Sequence, residues 1–168
     1  MPIIRTELRR TDREVDGSLL ADPVNVRVLE VLHADPRISM SALGRAVGLS
    51  PPAVSERVQR LRRTGVITGF RMDVDAGAVG LPIAAFVRVR PGPGQLAKIA
   101  QLAQDTAEVV ECYRITGEDC FLLKVHVAAV DRLEEVLDRF LLYGQTTSSI
   151  VQSAPVPPRP LPLPRCGT

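Results

Sequence analysis

Apolar residues recur every three or four positions from residue 22 to residue 64 and every second position in much of the remaining chain, so helical character gives way to extended character near Gly65. Asp22-Pro23 is a capping side chain followed by proline at the first helical position, and Val24, Val28, Leu29, Val31 and Leu32 form one stripe. A first helix is predicted to end between His33 and Asp35. Ser39 predicts the cap of a second helix, with Leu43, Ala46 and Val47 apolar and Gly48 as a left-handed stop. Ser50 caps a third helix, with Val54, Val58 and Leu61 at i, i+4 and i+7 and Gly65 at its end. Residues 66–74 alternate weakly and predict an extended segment leading out of the helical unit.

The second half predicts strand, helix, strand, strand, helix, strand. The strands fall at residues 82–90, 109–116, 120–127 and 147–152. One helix buries Leu96, Ile99, Ala100 and Ala103; the other, capped by Asp131, carries Leu133, Val136, Leu137, Phe140 and Leu141 on one face and ends at Gly144. This order is a ferredoxin-like βαββαβ sandwich, making the chain α+β. Its sheet is apolar on both faces: Ala84 and Phe86 oppose Ala85, Val87 and Val89 in the first strand, and Leu122 opposes Phe121 and Leu123 in the third. The helices cover one face, so the simplest cover for the other is a second copy of the chain. The expected division is a flexible leader over 1–20, which a start codon placed too early would also explain, a helical domain with linker strand over 21–75, the sandwich over 80–153, and an extended, unpacked proline-rich tail over 154–168.

The net charge of +2 conceals a local excess. Between Arg37 and Arg71 seven arginines face a single acid, Glu56, whereas from Met72 to Thr168 nine basic residues are outnumbered by eleven acids. A local positive patch points to a polyanion-binding module joined to one with another task.

Three short helices with a tight glycine turn between the second and third make a helix-turn-helix, whose third helix enters the DNA major groove N-terminus first. Ser50 satisfies amides at the start of that helix, while Pro51 and Pro52 occupy positions whose N–H groups would have had no intrahelical partner. Opposite the apolar stripe lie Ser55, Glu56, Gln59, Arg60, Arg62 and Arg63. Ser55, Glu56 and Gln59 are nearest the bases, where Gln pairs with adenine and Glu accepts from cytosine. Arg60, Arg62 and Arg63 suit phosphates, as does Arg45 on the second helix. Arg57, beside the core positions, either braces the fold or reaches the DNA backbone. With Ser50 and Pro52 at the reading end, these residues are the candidate double-stranded DNA interface.

The stretch DPRISMSALGRAVGLSPPAVSERVQRLRRTGVITGF, followed by a sandwich containing ITGEDCFLLKV, resembles the leucine-responsive/AsnC family of transcription regulators. The resemblance covers residues 20–153 and rests on the words D-x-R-x-S, V-G-L-S and G-V-I-x-G-[FY] in order. It implies a winged-helix-like N-terminal domain, a C-terminal amino-acid-sensing (RAM) domain, dimers that often assemble into octamers, and DNA that is bent or wrapped. It also implies an amino-acid effector near the hairpin Gly117, Glu118, Asp119 and Cys120. An acid there suits the ligand ammonium, and the hydroxyls of Thr146, Thr147 and Ser148 suit its carboxylate. Cys120 stands where many family members have aspartate, leaving Asp119 or Glu118 to take the ammonium.

Other classes find less support. No phosphate loop or nucleophile motif is present, and Cys112, Cys120 and Cys166 lack zinc or redox spacing, so no cofactor, metal site or catalytic residue is expected. His126 lies roughly 20 Å along the strand from Cys120 at 3.3 Å per residue, too far for a dyad, and is read as packed in the sheet. The N-terminus is too charged for a secretory signal and no apolar run reaches membrane-spanning length, giving a cytoplasmic, nucleoid-associated reading. The rival to an effector-responsive regulator is an architectural DNA binder without effector; a small-molecule storage or enzyme module is weaker.

Overall fold

The computed structural model describes residues 18–164, so most of the expected leader lies outside the described residues. The described residues form two compact units, one containing 18–71 together with 158–164, the other Met72–Pro157.

In the helical unit, α1 (Ser18–Ala21), α2 (Pro23–Ala34), α3 (Met40–Val47) and α4 (Pro51–Arg63) enclose a core of Val28, Leu29, Leu32, Leu43, Val54, Val58 and Leu61. The caps are those expected. Asp22 accepts from the Val24 amide, Ser39 from Ala42 and Ser50 from Ala53, and Gly48 adopts the left-handed conformation after α3. The inward stripe of α2 is shifted from the expected one. Asn25 and Val26 are buried, whereas Val24 and Val31 are only partly so. The start of the chain accounts for this: α1 buries Leu19, and the buried Asn25 amide donates to the Leu19 carbonyl at 2.9 Å. In α3 the inward partner of Leu43 is Gly44 and Ala46 is exposed. A Cβ on Gly44 would sit 2.6 Å from the Leu49 carbonyl oxygen, so the glycine lets the turn before α4 press onto α3.

Two further expectations for this unit are corrected. Residues 66–74 are not in a strand, because no strand among the described residues pairs with them. Val66 and Ile67 turn back onto the helical core, with the Ile67 amide donating to the Leu61 carbonyl. Residues 154–164 of the tail have no regular structure but are not wholly unpacked, since Leu163 packs against the same core. Leu163→Ala is expected to lower the stability of the helical unit by about 1 kcal/mol, less than a fully buried leucine because the side chain is only partly covered. Thermal unfolding followed by far-UV circular dichroism measures this.

The second unit is the expected sandwich, an antiparallel sheet in the order β2-β3-β1-β4. Its elements are β1 (Ile83–Pro91), α5 (Leu96–Asp105), β2 (Val109–Arg114), β3 (Phe121–Val127), α6 (Val130–Leu141) and β4 (Gly144–Ile150). Ala85, Val87, Val89, Phe121, Leu123, Val125 and Val127 form one sheet face, packed on Ile99, Ala103, Leu133, Val136 and Phe140 of the helices. Leu96 and Leu141 are exposed rather than buried. Asp131 lies in the first turn of α6, which Ala129 precedes with no side-chain cap. β4 starts three residues earlier than expected because Gly144, having no Cβ, fits against the Arg90 carbonyl and opens the pairing with Pro91.

The other sheet face carries Ala84, Phe86, Arg88 and Arg90 of β1, Leu122, Lys124 and His126 of β3, Glu111 and Tyr113 of β2, and Gln145, Thr147 and Ser149 of β4. No element of this unit covers it. Phe86 is 41% exposed and Tyr113 39%, and the salt bridge between Lys124 and Glu111 spans 3.4 Å. His126 is half-buried there beside the Leu81 carbonyl, the packed position expected of it.

Candidate nucleic-acid interface and effector hairpin

Each residue of an α-helix turns about 100°. Measured from the buried stripe Val54, Val58 and Leu61, the positions turned furthest away are Pro52, Glu56, Gln59, Arg60 and Arg63, all exposed. Ser55 and Arg62 flank them on one side, with Ser55 partly buried. Arg45 on α3 and Ser50 at the cap are also exposed. Arg60, Arg62 and Arg63 have no carboxylate partner among the described residues, so their charge is available to a polyanion, and they add to the negative C-terminal end of α4 the cations that favour it.

Arg57 differs. It flanks the stripe on the opposite side, and its guanidinium turns inward to Asp22 and Asn25, donating to the carboxylate of the first and, at 2.8 Å, to the side-chain oxygen of the second. Of the two alternatives open for it, the structure has the brace. The Arg57 hydrogen bond, opposed by partial desolvation and aided by the Val24 amide, holds the Asp22 carboxyl below its ordinary range. The Asp22 carboxylate is therefore ionised at neutral pH.

In the second unit, the β2–β3 hairpin holds Gly117 at φ 104° and Cys120 at φ 50°. Glycine accepts this backbone region freely; among other residues Asp and Asn tolerate it best, so Cys120 occupies a conformation unusual for its type. Its Sγ lies 3.7 Å from the Gly117 carbonyl. Neither hairpin acid is unpartnered: Arg90 meets Glu118 at 3.0 Å and Arg88 meets Asp119 at 3.7 Å. Both arginines belong to the open face, where the R-V-R-P alternation of β1 puts them, a signal that sequence reasoning passed over. The three hydroxyl candidates do not share a face. Thr147 pairs with Arg88 across the ladder and so lies on the open side, whereas Thr146 and Ser148 pair with the inward-facing Val89 and Val87. Among the described residues no three His, Cys, Asp or Glu side chains gather as metal ligands, and no helix is long and apolar enough to cross a membrane.

A capped helix-turn-helix with an arginine-rich outer face, followed by an open-faced ferredoxin-like sandwich, defines a transcription regulator with a DNA-binding domain and a ligand-binding domain. Residues 22–68 match a winged helix-turn-helix DNA-binding model and residues 84–161 the Lrp/AsnC ligand-binding domain. The regulator LrpC of Bacillus subtilis is 31% identical over 132 residues, 79% of this chain and 92% of LrpC, and its structure superimposes with a TM-score of 0.76. LrpA of Mycobacterium tuberculosis is 34% identical over 130 residues, 77% of this chain and 84% of LrpA. The feast or famine regulatory protein of M. tuberculosis, solved with L-methionine, is 32% identical, covers 85% of this chain and 99% of its own, and gives a TM-score of 0.78. The chain belongs to the Lrp/AsnC family of transcription regulators, and its relatives are regulators rather than enzymes.

Proposed function

We propose that the chain acts as a homodimer, assembled further into an octamer-like ring, that reads double-stranded DNA through α4 and answers to an amino acid bound between copies beside the β2–β3 hairpin. Domains 21–75 and 80–153 divide these tasks, and the place of action is the cytoplasm, on the nucleoid. The uncovered sheet face, with Phe86 and Leu122 on its two central strands and Tyr113 on the edge strand β2, supports pairing through this surface, because a second copy would remove those side chains from water. Two copies would also present two reading helices to paired half-sites.

The observation that carries the effector reading is the pair of exposed ion pairs, Arg88 with Asp119 and Arg90 with Glu118, at the hairpin end of the open face. Exposed pairs of this kind are worth at most about 1 kcal/mol, so a ligand can exchange with them at little cost. A zwitterion can place its ammonium on Asp119 or Glu118 and its carboxylate on Arg88 or Arg90, with Gly117, Cys120 and the Thr147 hydroxyl alongside. Thr146 and Ser148 are left for contacts made across copies. The methionine seen in the M. tuberculosis relative is a ligand of this chemical class.

A melting screen against the twenty amino acids at millimolar concentration tests the reading. Both tyrosines, Tyr113 and Tyr143, lie in the sandwich and the chain has no tryptophan, so tyrosine fluorescence reports on the ligand-binding unit alone. One or a few amino acids are expected to raise its midpoint, with about 2.7 kcal/mol gained at 100 times Kd. Asp119→Asn is expected to abolish that rise while changing the ligand-free stability by less than about 1 kcal/mol. No rise with any amino acid would favour the architectural reading.

A further inference from the structure

We infer that Arg57, Asp22 and Asn25 form a positioning lock that fixes how α4 leaves the helical core, and that this lock sets how sharply the chain discriminates between DNA sequences. The inference rests on α4 being the reading helix. Arg57 then serves recognition without touching DNA.

The geometry ties one guanidinium to three segments at once. Asp22 uses one oxygen to cap α2, through the Val24 amide at 2.9 Å, and the other to receive Arg57. Asn25, only 5% exposed, accepts from Arg57 at 2.8 Å and donates to the Leu19 carbonyl of α1 at 2.9 Å. A carboxamide does both at once, accepting through its oxygen and donating through its nitrogen. Each group therefore satisfies another that would be costly to leave unpaired in a partly buried site. The effect is to pin the middle of α4 to the first turn of α2 and, through Asn25, to α1. The residue before Arg57 is Glu56, and Gln59 comes two positions after it, so the base-reading side chains project from the very segment that is pinned. Glu56, Arg57 and Arg60 line a cleft of about 380 Å³ with Asp22, Asn25 and Leu19.

The two kinds of DNA contact explain why this governs discrimination. Hydrogen bonds to base edges hold only within a few tenths of an ångström and a narrow angle, whereas attraction to phosphates tolerates displacement. Loosening α4 therefore weakens base readout and leaves general DNA affinity standing. Asp22 also neutralises Arg57, unlike Arg60, Arg62 and Arg63, so Arg57 adds little to the count of released counterions.

The test measures binding of the full chain, across a salt series, to a duplex that the wild type selects from a random pool and to an unselected random duplex of equal length. Asp22→Asn keeps a capping oxygen but removes the charge facing Arg57. Removing an acid would by charge alone tighten binding to any DNA. The lock predicts instead that affinity for the selected duplex falls about tenfold while the random duplex is bound as well as before or better. Arg57→Gln is expected to show the same selective loss with the salt slope unchanged. An Asp22→Asn protein that discriminates as well as wild type overturns the lock, as does a slope for Arg57→Gln that falls by about one, the mark of a lost phosphate contact. If Arg57→Gln does not fold, Asp22→Asn decides alone. Glu56→Ala with Gln59→Ala separates the two levels: discrimination lost in this double variant but intact in Asp22→Asn overturns only the lock, and discrimination intact in both overturns the reading-helix assignment with it.

Discussion

Replacing Arg60 and Arg63 together by alanine is expected to weaken binding to every DNA duplex, selected or random, and to flatten the salt dependence. On B-form DNA each neutralised phosphate contributes about 0.9 to the slope of log K against log salt, so losing two contacts should reduce it by about 1.8. Both side chains are exposed, point away from the core stripe and have no carboxylate partner among the described residues. Truncation should therefore leave folding almost untouched, and the loss is a binding effect. The pattern is the reverse of that expected at Arg57, where discrimination falls and the slope holds. Fluorescence anisotropy over a salt series reads both. An unchanged slope in the double variant would move the phosphate contacts off the end of α4, with Arg45 and Arg62 as the next positions to test.

Gly144→Ala is expected to cost the sandwich about 3 kcal/mol, lowering the tyrosine-monitored midpoint by more than about 10 °C. A Cβ on Gly144 would lie 2.2 Å from the Arg90 carbonyl oxygen and 3.0 Å from both the Arg90 carbonyl carbon and Pro91 Cα. All three are backbone atoms at the end of β1, directly after Val89, which is paired to β3 on one side and β4 on the other, so they have little room to retreat. Relief requires peeling β4 from β1 at this end, which also loosens the bond from the Gly92 amide to the Tyr143 carbonyl. Alanine makes the unfolded chain stiffer than glycine does, which offsets about 0.4–1 kcal/mol. The helical unit has no tyrosine, and its far-UV transition should move far less. A shift below about 1 kcal/mol would mean that β4 can slide.

What could be read from the sequence was whatever local rules govern. Ser39, Ser50 and Gly48 mark their helix ends through bonds that span three or four residues, and the alternation in β1 and β3 assigns the sheet faces with no knowledge of neighbours. What escaped depends on contacts between distant segments. Asn25 reads as a polar gap in the α2 stripe until Leu19 and Arg57 are brought beside it. Arg57 sits where a helical projection leaves both of its roles open. The early start of β4 needs the Arg90 carbonyl, and the partnering of Glu118 and Asp119 needs two arginines about thirty positions earlier. Residues 66–74 alternate like a strand, yet a strand exists only where another offers its amides and carbonyls.

The packing of Leu163 bears on the order in which the helical unit is completed as the chain is made. Among the described residues, every other member of its core precedes Phe70, so the three-helix cluster can form from contacts close in sequence. Leu163 comes after the rest by about a hundred residues, which at about 5–20 residues per second means about 5–20 seconds of synthesis. The helical unit, made before the sandwich, is therefore first exposed as an incomplete version of itself, and acquires the Leu163 side chain only after the whole sandwich has been synthesised.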